Sequence, residues 1–107
     1  MNKRTFYRVN VNLKIIINLN DKIFNGMLEN ISMGGLYAYT DRLTSIKVND
    51  IAVITIPLPV GLDKDYITVN GIVTGINEKG VAFRFLETDM DTLRKLFFLV
   101  YHSNIDT

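Results

Sequence analysis

The sequence predicts an all-β domain of six short antiparallel strands with one C-terminal helix. Three observations carry that prediction. Apolar and polar residues alternate along one segment after another. Breaks made of Gly, Asn, Asp and Pro separate those segments. Only the last stretch changes to a spacing of three and four. At 107 residues and 48% apolar content, the chain fits one domain whose core fills without staples.

Val9, Val11, Leu13, Ile15 and Ile17 alternate with Asn10, Asn12, Lys14, Ile16 and Asn18, the pattern of a half-buried strand. Leu19-Asn20-Asp21-Lys22 turns it. A second strand is expected from about Ile23 to Ile31. A third follows the Gly34-Gly35 break, through Leu36, Tyr37, Ala38 and Tyr39, and Val48-Asn49-Asp50 marks another turn. Ile51 to Ile56 is a β-branched strand that Pro57 and Pro59 end by removing backbone donors. Leu58 to Asp65 is therefore expected as an edge or loop. Alternation resumes from Tyr66 to Ile76. Asn77-Glu78-Lys79-Gly80 reads as a hairpin turn with Gly80 at positive φ, and Val81 to Leu86 is the last strand.

The helix is expected over about residues 88–103. Thr88 is its expected N-cap, Asp91 resembles the far half of a capping box, and Asp89 favours the positive helix end. Met90, Leu93, Leu96, Phe97, Val100 and Tyr101 form one apolar stripe that lies on the strands. Phe98 and Leu99 fall off that stripe, which leaves a deeper core or a dimer interface as alternatives.

Composition narrows the function. There is no cysteine, so disulfides and thiolate metal sites are excluded. The one histidine, His102, suits a helix C-terminus better than a catalytic base. Asp63 and Asp65 flank Lys64 in a solvated turn, with no calcium-loop ligands following. No nucleophile elbow, zinc-binding helix motif or phosphate-cradling glycine loop occurs. The expected protein is not an enzyme and carries no metal or cofactor. The first residues show no apolar run of a signal peptide, and no stretch reaches the ~20 apolar residues of a membrane helix. The expected location is cytoplasmic.

Net charge is only +1, but its distribution is uneven. Residues 1–14 hold Lys3, Arg4, Arg8 and Lys14 and no acid, which makes the start the place for an anionic ligand. Two motifs stand out. Arg4-Thr5-Phe6-Tyr7-Arg8 is an R-x-x-x-R, and Asn30-Ile31-Ser32-Met33-Gly34-Gly35 is an N-x-S-x-x-G, with 21 residues between Arg8 and Asn30. Arginine offers a planar fork of donors that matches phosphate or the O6/N7 edge of guanine. Asn30 and Ser32 alternate with Ile31, so a strand would set both polar groups on one face and Ile31 in the core. Gly35, helped by Gly34, allows a sharp turn and close approach of a ligand. Taken singly, the second motif is also an ordinary β-turn.

Together, in this order and in a small all-β chain, the motifs resemble the PilZ family, the bacterial receptors for the second messenger cyclic di-GMP. Gly80-Val81-Ala82-Phe83-Arg84-Phe85-Leu86 is similar to the family's closing strand, and the helix from Asp89 to its usual ending. The resemblance implies a six-stranded antiparallel β-barrel over residues 9–107, preceded by a flexible basic arm over 1–8. It implies that Arg4 and Arg8 grip guanines and phosphates, that Asn30 and Ser32 bond a guanine, and that Gly35 shapes the turn. Asn30 is the amide variant of a position that is often Asp. Lys3, just before the first motif, is at a position that helps decide whether one or two ligand molecules bind.

The resulting expectation is a ligand-gated adaptor. Cyclic di-GMP would order the arm and signal to a protein partner, or to a second copy through the C-terminal helix. A PilZ-like module that interacts with protein but not with ligand is the alternative. A single-stranded nucleic-acid barrel with Tyr7, Tyr37 and Tyr39 as stacking platforms is a weaker one, because the basic footprint is small. Arg84 is expected to be solvated.

Overall fold

The computed structural model describes residues 8–58 and 65–102. Six strands form a closed antiparallel barrel in the order β1-β2-β3-β6-β5-β4: β1 (Val9–Leu19), β2 (Lys22–Ile31), β3 (Gly35–Tyr39), β4 (Ile51–Pro57), β5 (Tyr66–Ile76) and β6 (Gly80–Phe85). A helix, α1 (Met90–His102), follows. The six predicted strands and the helix are all present, with ends within a few residues of their expected places.

Alternation explains the barrel wall. On β1 the odd residues from Val9 to Leu19 turn inward, with Ile15, Ile17 and Leu19 fully buried, while the even residues are exposed. Ile54 and Ile56 of β4, Ile67 and Val73 of β5, and Val81 of β6 meet them in one core. Closure comes from β1 pairing with β4, over Ile16–Asn18. The first half of β1 is thus joined to the sheet through β2.

The β1–β2 turn is set by its own residues. Asn20 and Asp21 have φ of 52° and 68°, the two positive values that a tight two-residue hairpin requires. The β5–β6 turn differs from expectation. Gly80 does not lie in the left-handed region; it is there because β3 passes close by. An added Cβ would meet the Ala38 carbonyl oxygen at 2.4 Å and the Tyr37 ring at 2.8 Å. The Asn77 side-chain oxygen shapes this turn by accepting from the Lys79 and Gly80 amides, both at 2.9 Å.

Two expectations about the helix are corrected. The N-cap is Asp89, one residue later than Thr88, and its Oδ1 accepts from the Thr92 amide at 2.8 Å. That bond holds the Asp89 carboxyl below the usual range. The buried face centres on Leu96, Leu99 and Val100, so Leu99 belongs to the core and not to a second face. Phe97 is 54% exposed, and Met90 and Tyr101 are exposed with it. The reason is rotation: the buried face lies about 80° around the helix from the middle of the predicted stripe. Lys95 ties the helix to the start of β5, donating to Asp65 Oδ1 at 3.2 Å and to the Tyr66 carbonyl at 3.4 Å.

Candidate functional site

A phase change in β2 builds the site. Phe24, Gly26 and Leu28 face inward, and strict alternation would then send Asn30 inward as well. Instead the register runs Leu28↔Ala38 and then Asn30↔Tyr37, which leaves Glu29 as an extra residue against β3. This β-bulge rotates the chain by one position. Ile31 enters the core with no exposed surface, and Asn30 is left half-exposed on the outside. A second irregularity, in β1 between Asn10 and Leu13, pairs Asn10 directly with Asn30. Arg8, two residues before Asn10, therefore falls on the same outer surface.

There Arg8 Nη1 donates to Asn30 Oδ1 at 2.5 Å. The two motifs, 22 positions apart, meet in one hydrogen bond. Asn30 Nδ2 donates in turn to Glu29 Oε1 at 3.3 Å. The neighbouring Glu29 carboxylate raises the Tyr39 pKa, because it favours the protonated phenol. Tyr39 packs edge-on to Tyr37 with ring centroids 5.6 Å apart, and the Tyr37 hydroxyl donates to Asn77 Oδ1 at 2.9 Å. A line of polar and aromatic groups thus crosses the outside of β2 and β3 from Arg8 to Asn77.

Ser32 has a different place from the one expected. It lies beyond the end of β2, is 3% exposed, and turns back into its own loop. Its Oγ accepts from the Gly34 amide at 3.1 Å and the Gly35 amide at 3.2 Å, and it donates to the Gly35 carbonyl at 3.4 Å. The Ser32 amide donates to that same carbonyl at 2.8 Å. Asn30 and Ser32 do not share a face, because the strand ends between them. Gly35 allows a close approach, but to the neighbouring strand: an added Cβ would sit 2.2 Å from the Phe83 carbonyl oxygen. Gly34 carries the turn into β3, and its carbonyl accepts from the Phe85 amide at 2.8 Å. Arg84 is exposed and pairs in register with Gly35.

Lys3, Arg4 and Tyr7, with the rest of the expected arm before Arg8, lie outside the described residues, as do Asp63, Lys64 and the His102 side chain. Sequence reasoning did not single out Glu29, nor the tie from Tyr39 to it. Adjacent residues on an ideal strand face opposite ways, and only the bulge sets Glu29 beside Asn30. An open groove of about 930 Å³ lies elsewhere, between Lys14, Met27, Tyr39, Thr40, Arg42 and Lys79. Its charges are mixed, with Asp41 and Glu78 beside Lys14, Arg42 and Lys79. The Arg8–Asn30 cluster is the better candidate on chemistry. Among the described residues, no group of three or more His, Cys, Asp or Glu side chains could hold a metal, and no helix is long and apolar enough to cross a membrane.

The barrel is similar to solved structures. The inhibitor of motility MotI/DgrA of Bacillus subtilis superposes with a TM-score of 0.85 at 18% identity, over 100% of this chain and 54% of that one. The PilZ domain of YcgR from Escherichia coli, solved with c-di-GMP, gives 0.83 at 16% identity, over 98% of this chain and 94% of the other. MrkH of K. pneumonia, in complex with c-di-GMP, gives 0.75 at 13% identity, over 99% of this chain and 53% of the other. This chain thus spans about half the length of MotI/DgrA and of MrkH. At these identities the likeness shows a shared fold. Among curated proteins no sequence match is found. The family model for the PilZ domain matches residues 2–102, and the chain belongs to the PilZ domain family.

Proposed function

We propose that this domain is a non-catalytic receptor for cyclic di-GMP, and that ligand binding orders the leading basic segment and passes the signal to a partner. One observation carries the reading: Arg8 and Asn30, from two separate motifs, converge on a single point of the outer surface. A guanine can replace each half of that contact with a better one. Its O6 and N7 accept two bonds from the Arg8 fork, and its N1–H and N2–H groups donate to Asn30 Oδ1. The resting bond is solvent-exposed and costs little to break, and the bidentate contact and the new amide bonds offset it. Arg4 and Lys3 would add phosphate contacts from the same basic segment. Ser32, Gly34 and Gly35 serve the reading as the frame that holds Asn30 in place. The likeness to the ligand-bound YcgR domain and MrkH supports the choice of ligand. The ligand is an intracellular messenger, so the reading carries a cytoplasmic location with it.

Calorimetric titration of the folded protein with cyclic di-GMP tests this directly. Saturable heat at micromolar ligand is expected. A flat titration well above that range, on protein shown to be folded, removes the reading and leaves the protein-interaction module in its place.

A further inference from the structure

We infer that Glu29 is a positioning residue for ligand recognition, holding the Asn30 amide so that its oxygen faces the ligand. This rests on the reading that the Arg8–Asn30 surface binds cyclic di-GMP. A carboxylate at position 30 would present an acceptor in either orientation. An amide presents an acceptor one way and a donor the other, and a donor opposite guanine N1–H and N2–H gives no bond. An asparagine therefore needs something to choose its orientation.

The structure contains that device. Asn30 Nδ2 donates to Glu29 Oε1 at 3.3 Å, and Asn30 Oδ1 accepts from Arg8 Nη1 at 2.5 Å. The reversed amide would face donor to donor at Arg8 and acceptor to acceptor at Glu29, so both neighbours select the same orientation. Once Arg8 leaves Asn30 for the ligand, Glu29 alone maintains it. Glu29 also neighbours the Tyr39 hydroxyl, whose protonated form it favours, and Tyr39 is packed against Tyr37. The arrangement has a cost, since a carboxylate next to an anionic ligand repels it. The acceptor it supplies to Asn30 works against that repulsion, and the two effects separate by experiment.

The test is a double-mutant cycle on cyclic di-GMP affinity, with thermal melts to confirm folding. Glu29→Met is expected to weaken binding about three- to tenfold, the scale of one hydrogen bond and one immobilised side chain. Glu29→Gln keeps a carbonyl acceptor without the charge, and it is expected to bind as the wild type or more tightly. In an Asn30→Asp background the amide is gone, and Glu29→Met is expected to leave binding unchanged or stronger. Glu29→Ala replaces the Met variant if that one does not fold. Equal effects of Glu29→Met in both backgrounds overturn the inference, as do equal effects of Met and Gln. A wild type that does not bind at all removes both the receptor reading and this inference. A wild type that binds, with a Glu29→Met variant that binds equally well, removes the inference alone.

Discussion

Asn30 and the Ser32–Gly35 turn belong to one six-residue motif, yet the barrel uses them in opposite ways. Asn30 stands on the outer surface, and its partners are the side chains of Arg8 and Glu29. Ser32 is buried, and its partners are backbone groups of its own turn. Gly35 makes no side-chain contact and is there because the β6 backbone leaves no room for a Cβ. Half of the motif presents chemistry and half builds the support. A substitution in the support should therefore act through folding, and one on the surface through ligand affinity alone.

The largest expected effect sharpens the structural side. Gly35→Ala forces β3 and β6 apart, because neither the Phe83 carbonyl nor the Gly35 backbone can move cheaply. We expect a loss of about 3 kcal/mol in stability, the upper end of overpacking costs, read by chemical denaturation. Wild-type stability in that variant would show that the two strands separate more easily than their packing implies.

The next prediction sets the two halves side by side. Ser32→Ala removes the acceptor for two amides in a buried turn and is expected to cost about 1–3 kcal/mol of stability. Arg8→Ala touches an exposed side chain and is expected to change stability by less than about 0.5 kcal/mol. It should nevertheless lower cyclic di-GMP affinity at least about tenfold, as loss of a bidentate guanine contact does. A stability loss for Arg8→Ala as large as that for Ser32→Ala would erase the contrast.

The smallest effect lies away from the site and serves as its control. Asp89 is held below the ordinary aspartate range by the Thr92 amide, and Asp65 by the Lys95 ammonium. A depressed folded-state pKa stabilises the fold fully above the unfolded value of about 3.9, and that stabilisation is lost as pH falls through the lower folded value. Asp65→Asn with Asp89→Asn should flatten the acid limb of melting temperature against pH while leaving ligand affinity at neutral pH unchanged. An unaltered acid limb would place the titrating groups elsewhere.

The strands were readable because each rests on local information. Val9 to Ile17 alternate, Asn20-Asp21 accept positive φ, and Pro57 ends a strand that nothing else would end. The helix was readable as a helix but not in its rotation, since Leu96 with Phe97 and Leu99 with Val100 offer two overlapping stripes. The choice between them depends on where β5 lies. At the site, Arg8 and Asn30 were legible as chemistry suited to an anion. Glu29 was not, because it acquires its role from a bulge that no residue type announces.

The sequence by itself determined which segments alternate, where they turn and which residue types are available to grip an anion, because those properties follow from neighbours along the chain. Tertiary structure alone decided that Asn30 faces outward beside Arg8, that Glu29 joins them and that Ser32 turns inward. The physical reason is register. One extra residue between β2 and β3 inverts every side chain beyond it, and the partner strands that set the register lie far away in sequence.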